Sequence, residues 1–181
     1  MTTAQDLRSG VSTVTAQELF DTLSPVTIDE MIGRWRGSEI RTGHPMDGLL
    51  GLTGWYGKEF IDSETVHPLL FGEPGKLYAV NPKLVPLRTL NGVASRVPRV
   101  MPPGGRAAFR GLRTTKPRAR LRVIEYRGAS GAAMVYDDIP VIDHFRRIDD
   151  TTLLGVMDQR GADQTYFFLL EKDGPTSISP R

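Results

Sequence analysis

Gly33-Arg34-Trp35-Arg36-Gly37 is the stretch whose reading decides the fold. It opens a strand-like run just after a short helical lead-in. Glycines on both sides of a tryptophan let neighbouring backbone approach closely, while the indole fills space and its N–H needs an acceptor. These properties suit the floor of a small antiparallel barrel.

Upstream, Thr15 with Glu18 and Thr27 with Glu30 have capping-box spacing, in which a threonine hydroxyl and a later glutamate satisfy free amides of a first helical turn. Ser24-Pro25 breaks the pattern between them, so two short helices are predicted at residues 15 to 23 and 27 to 32, and Gly33 ends the second. Downstream the helical period vanishes. Runs bounded by Gly, Pro, Asn or Asp predict strands at 34 to 42, 53 to 61, 64 to 71, 76 to 80, 118 to 127, 131 to 137, 139 to 148, 152 to 159 and 165 to 171. Hairpin turns are predicted at Arg127-Gly128-Ala129-Ser130-Gly131, Asp149-Asp150 and Arg160-Gly161-Ala162-Asp163. This pattern predicts a mainly β protein, an antiparallel up-and-down barrel of about eight to ten strands.

Residues 81 to 117 interrupt the pattern with Pro82, Pro86, Pro98, Pro102, Pro103 and Pro117, so neither a long helix nor a central strand runs through them. They also carry Leu, Val, Met and Phe, which fits a basic, apolar flap over a barrel mouth. The predicted organisation is a flexible N-terminus (1 to 14), one barrel domain (15 to 173, in halves 15 to 80 and 118 to 173 around the 81 to 117 flap) and a flexible tail (174 to 181).

At 181 residues, with 39% hydrophobic and 24% charged residues, the chain suits one globular unit. It has no cysteine, which excludes disulfides, thiolate catalysis and cysteine-ligated metal. No secretory pattern and no apolar run of membrane-spanning length is present, and a cytoplasmic protein is the simplest expectation. The net charge of +2 conceals a segregation: from Lys83 to Arg122 there is no Asp or Glu, while many arginines fall inside. Such a run predicts an anionic partner. Phe109 is the lone aromatic in the segment, which argues against nucleic acid, whose binding uses interleaved aromatics. Arginine mixed with Leu, Val and Met suits anionic lipid, including peripheral contact with a membrane.

Gly33, Trp35 and Gly37, followed by Ile40, Trp55-Tyr56-Gly57 and the run from Tyr136 to Phe145, resemble the GXWXG-domain proteins, a bacterial family whose second half is a domain of unknown function. Val66 to Phe71, Lys116 to Leu121 and Leu153 to Asp158 are similar to family segments too. The resemblance implies a calycin-like, lipocalin-like barrel that binds a hydrophobic or lipid ligand, and it implies no reaction. In lipocalin-like barrels such a tryptophan is often covered by an arginine from a late strand, and Arg160 is the candidate here.

The expected function is therefore binding of a hydrophobic molecule, a lipid or phospholipid with an anionic headgroup, without a cofactor. Trp55, Tyr56, Phe60, Phe71 and Met134, with Leu69, Tyr78 and Val123, are candidates for the apolar part, and Arg118, Arg120 and Arg122 for the headgroup. Gly33, Trp35, Gly37 and Arg160 are read as structural. His44, His67 and His144 are scattered without ligand spacing, so no metal is expected. An alternative is an enzyme acting on a small hydrophobic substrate. Ile142, His144 and Arg146 share one side of a strand, and Val141, Asp143 and Phe145 the other. His144 would then be the acid/base group, oriented by Asp138 or Asp158. A third reading is an interaction protein whose basic segment docks on an acidic surface or on a second copy in a homodimer.

Overall fold

A computed structural model describes residues 4 to 85 and 105 to 174. Its strands are β1 (Ser24–Pro25), β2 (Gly33–Glu39), β3 (Trp55–Phe60), β4 (Val66–Phe71), β5 (Tyr78–Ala79), β6 (Ala119–Tyr126), β7 (Ala129–Tyr136), β8 (Val141–Asp149), β9 (Thr152–Gln159) and β10 (Tyr166–Gly174). The helices are α1 (Ala4–Ser9), α2 (Thr13–Thr22), α3 (Ile28–Met31), α4 (Leu49–Thr53) and α5 (Gly105–Arg110). Every sheet pairing is antiparallel. The sheet closes: β2, β3, β4, β6, β7, β8, β9 and β10 pair in succession, and β10 returns to β2. Closure removes the free edges an open sheet would expose.

Period-two alternation then sorts the side chains. Register places Trp35, Gly37 and Glu39 of β2 beside Lys172, Leu170 and Phe168 of β10, and Phe168 beside Gly155 of β9. Across the barrel, Leu121, Met134, Asp143 and Met157 form one inward row over β6 to β9. Trp35, Phe168, Leu170, Leu121 and Met134 belong to one buried cluster with Phe60, Val66, Tyr136, Phe145 and Tyr166, and Met157 packs against it. A second cluster lies outside the wall, where Leu7, Ala16 and Phe20 of α1 and α2 cover Ile40, Leu154, Val156, Phe167 and Leu169. Residues 4 to 9, expected in a flexible terminus, are thus a packed helix, because Leu7 fills this outer cluster and is fully buried. The tail after Gly174 lies outside the described residues.

The capping reading holds at one helix and shifts at the other. Thr27 and Glu30 form a complete capping box on α3. α2, by contrast, begins two residues ahead of Thr15, with Ser12 as its cap accepting from the Thr15 amide at 3.0 Å. The loop expected from Arg127 to Gly131 is a tighter two-residue turn, with positive φ at both Arg127 and Gly128, so pairing resumes at Ala129.

The barrel has unlike ends. Trp35 closes the floor, buried under α3, and its indole N–H donates to the Met31 carbonyl at 2.7 Å. The other end is covered by α4, β5, a 3-10 turn at Pro82–Leu84, and α5. Phe109 of α5 stacks on Phe71 at 4.9 Å. Val80 bridges Arg113, and the Asn81 amide donates to the Leu112 carbonyl at 3.0 Å, which ties both flanks of the proline-rich segment into this cap. The intervening residues 86 to 104, the centre of the predicted flap, lie outside the described residues.

Candidate functional site

The inward faces of β3 and β8 each carry one charged side chain among apolar neighbours: Lys58 beside Phe60, and Asp143 between Val141 and Phe145. The closed barrel brings them together. Lys58 Nζ lies 2.8 Å from Asp143 Oδ2, and both side chains are almost wholly buried. Lys58 also donates to the Pro68 carbonyl and the Tyr136 hydroxyl, each at 3.3 Å, and the Tyr136 hydroxyl donates to Asp143 Oδ2 at 3.3 Å. The three ammonium protons are thereby assigned. Asp143 Oδ1 is buried with no hydrogen-bond partner among the described residues.

Aromatic rings surround the ammonium. Its nitrogen sits 5.0 Å from the Phe168 ring centre, 5.6 Å from Tyr136 and 5.7 Å from Trp55, distances at which the ring faces attract a cation. Two glycines make room for these walls. A Cβ on Gly37 would fall inside the Trp55 indole, and one on Gly155 inside the Phe168 ring. The second glycine of the Gly-x-Trp-x-Gly motif therefore admits a side chain from the next strand as well as close backbone. The Trp55 indole N–H is buried and has no partner among the described residues.

Burial sets the electrostatics. It pushes the Asp143 carboxyl above the ordinary carboxylate range, with the Lys58 ammonium and the Tyr136 hydroxyl opposing. Burial, then the charge of Asp143, raises the Tyr136 phenol well above its ordinary value. A charge pair removed from water recovers its desolvation cost only with good geometry and full hydrogen bonding. Here one carboxylate oxygen and one indole N–H stay open, so the centre costs more than an apolar core of the same size would. Chemically it offers an acceptor, a donor and a polarised phenol inside apolar walls.

The residues expected at the site fall into three groups. Trp55, Phe60, Phe71 and Met134 lie in the buried inner cluster. Tyr56 does not: the irregularity between Trp55 and Gly57 breaks the β3 alternation, so Trp55 lies inside and the Tyr56 hydroxyl donates to Asp173 beside Arg34. Arg118, Arg120 and Arg122 also alternate with the inward Ala119 and Leu121. Each has a carboxylate partner: Asp138 at 3.0 Å, Asp137 at 2.6 Å and Glu64 at 2.8 Å, respectively. The acid-free run is neutralised over β6 by acids from other strands and turns. Lys83, Arg110, Arg113 and Lys116, around the cap, make no ion pair with a described residue.

Two further expectations are corrected. Arg160 does not cover Trp35; it lies exposed in the turn after β9, whereas Leu153, at the start of that strand, lines the floor. Lys172, the register neighbour of Trp35 on β10, covers the indole instead, with its ammonium 5.5 Å from the ring centre. His144 faces out of the barrel, stacked on Tyr126 at 3.8 Å, and its Nε2 is 3.9 Å from Asp158. Burial lowers its pKa to about 4, with Asp158 opposing, which leaves a neutral ring. Asp138 pairs with Arg118 on a separate turn, so Asp138, His144 and Asp158 do not converge on the barrel interior. The proposed histidine acid/base pair fails on that geometry.

Lys58, Tyr136, Asp143 and Phe168 were missed by the sequence-based site reading. The available signal was Asp143, a carboxylate alternating with Val141 and Phe145 on the face opposite His144.

Near the floor, Val26, Glu30, Trp35, Arg147, Asp149, Asp150, Leu153 and Lys172 line a shallow cleft of about 120 Å³. Its Arg147 and Glu30 already pair with each other. Among the described residues, no cluster of three or more His, Cys, Asp or Glu could hold a metal ion, and no helix is long and apolar enough to cross a membrane.

Comparison with known proteins matches the two halves of the chain separately. Residues 18–75 match the family described as GXWXG protein, and residues 117–172 match a domain of unknown function, DUF4334. A solved structure described as "Crystal structure of protein from Thermomonospora curvata" is 33% identical, with 91% of this chain and 89% of that chain covered and a TM-score of 0.66. No curated protein matches the chain. With the first match over Trp35 and Lys58 and the second over Tyr136, Asp143 and Phe168, each half supplies part of the buried centre, and the chain belongs to the GXWXG proteins that carry DUF4334 in their second half.

Proposed function

We propose that this barrel binds a hydrophobic small molecule, a lipid in the leading case, with a polar group of the ligand held at the Lys58, Tyr136 and Asp143 centre. One observation carries the reading: a nearly fully buried ion pair, walled by Trp55, Phe168 and Tyr136, leaves hydrogen-bonding capacity unused. Ligand sites commonly combine apolar and aromatic walls with a few polar groups that fix orientation. Two glycines maintain the walls at the expense of side-chain packing of their own. Apolar burial would supply the binding energy, at about 25 cal/mol per Å² before ordering costs. On this reading the ligand enters from the end opposite Trp35, whose indole closes the floor by its bond to Met31.

An anionic headgroup is a finer reading, and the ion pairs on β6 move it. Arg118, Arg120 and Arg122 already have carboxylate partners, whereas Lys83, Arg110, Arg113 and Lys116 beside the cap have none among the described residues. A phosphate or carboxylate would meet those cations while the apolar part entered the barrel.

Organic extraction of protein purified from its own host is expected to yield an apolar compound in near-stoichiometric amount. Binding to anionic vesicles at low salt, lost on Arg110→Glu with Arg113→Glu, would support the headgroup reading. An empty extract from wild-type protein would count against ligand binding altogether.

A further inference from the structure

The proposed function leaves open which chemical group the buried centre recognises, and the unused valences constrain it. We propose that the centre selects an uncharged hydroxyl on the part of the ligand that enters the barrel, with the hydroxyl proton donated to Asp143 Oδ1. This inference rests on the hydrophobic-ligand reading and names its ligand class.

Asp143 Oδ2 is occupied by Lys58 and Tyr136, whereas Oδ1, on a residue 1% exposed, is not. The open position therefore asks for a donor. A carboxylate or phosphodiester has none at neutral pH, and any phosphate would bring a second negative charge against Asp143. Lys58 does not offset that repulsion with a free proton, since its three donors go to Asp143, Pro68 and Tyr136. A ligand ammonium could donate, but it would lie close to the Lys58 cation in a desolvated space. The pair is already neutral overall, so a further charge of either sign would be uncompensated. A ketone, ester or ether can accept but cannot donate, and leaves Oδ1 as it was.

A hydroxyl meets both conditions: it is uncharged, and it carries a donor with two lone pairs. A second open donor, the Trp55 indole N–H, belongs to the ring that the Lys58 ammonium faces at 5.7 Å, on a residue 8% exposed. Trp55 is held in place by Gly37 behind it and by Phe168 edge-on at 6.2 Å. Discrimination should be large, because a site built to hydrogen-bond a hydroxyl leaves its polar groups unpaired when an analogue lacks one.

The test uses the full chain and three probes of equal chain length: dodecanol, dodecyl methyl ether and dodecanoate. Binding is read by change in tryptophan emission and confirmed by displacement of a fluorescent apolar dye. Wild-type protein is expected to bind dodecanol at least about tenfold tighter than the ether, the scale of one hydrogen bond to a charged group. It should prefer dodecanol to dodecanoate as well. In the double variant Lys58→Met with Asp143→Leu, which replaces the pair by apolar side chains and should still fold, the alcohol and the ether are expected to bind alike. Equal wild-type binding of alcohol and ether, or a preference that survives in the double variant, would overturn the hydroxyl assignment and leave hydrophobic binding standing. Failure of wild-type protein to bind any probe would overturn both.

Discussion

The two tryptophans of this barrel have similar settings and opposite hydrogen-bond states. Trp35 and Trp55 are both buried, and each has a lysine ammonium near its ring, Lys172 at 5.5 Å and Lys58 at 5.7 Å. The Trp35 indole donates to Met31, and the floor it seals carries no open polar group on the indole. The Trp55 indole has no partner, and Asp143 in the same surroundings has an unpaired oxygen. Buried polar groups are satisfied in the great majority of cases, so the difference separates a closing element from a place prepared for something else.

The largest expected effect comes from breaking the centre. Lys58→Met or Asp143→Leu alone leaves a buried charge without its counterion and should destabilise by about 3–5 kcal/mol. The double substitution should recover most of that loss, because two apolar side chains can replace a buried pair nearly neutrally. Chemical denaturation of the three variants checks this. Additive losses would mean that the two charges do not act as a pair.

A smaller effect sharpens the contrast between the indoles. Trp35→Phe removes a satisfied hydrogen bond and strands the Met31 carbonyl, at about 1 kcal/mol beyond the loss of packing. Trp55→Phe removes an unsatisfied donor, so it should cost less stability and affect ligand retention more. Equal stability losses in thermal unfolding would erase the distinction.

The last contrast is pH dependence outside the wall. His144 has its folded pKa lowered to about 4 from an ordinary value of 6.5, so the unfolded chain binds the proton more readily. The stability of neutral, buried His144 is therefore complete above pH 6.5 and is lost as pH falls toward about 4. Burial lowers His67 and His44 as well, with the same sign. Asp143 acts in the opposite sense, since its raised folded value favours the folded state as the carboxyl protonates. Melting temperatures measured across that range should fall for wild type and fall less for His144→Phe. Identical slopes would show that His144 is solvated.

Much of this architecture is legible in local sequence, because alternation, turns and caps are local. The strand read at 152 to 159 is β9 as found, and Thr27 with Glu30 is the capping box of α3. α1 escaped because a single leucine, Leu7, carries its burial, and one apolar residue makes no period. The site was half legible. Alternation sets Asp143 apart from His144, but a lone carboxylate on a strand names no chemistry of its own, whereas a histidine beside carboxylates suggests an acid/base pair. What Asp143 meets depends on how β3 and β8 face each other across a closed barrel, and spacing along the chain holds no trace of that. The arginines of β6 show the same limit, for their acids arrive from the turn after β7 and the turn after β3.

The motif that opens the fold therefore has two duties: Trp35 seals the floor, and Gly37 gives Trp55 its place beside Lys58. The most direct test of the account is native mass spectrometry of wild-type protein and the Lys58→Met, Asp143→Leu double variant, each purified from the original host. Wild type is expected to carry an apolar passenger that the double variant has lost or exchanged. Wild-type protein at the mass of the bare chain, or the same passenger at the same occupancy in both, would contradict it.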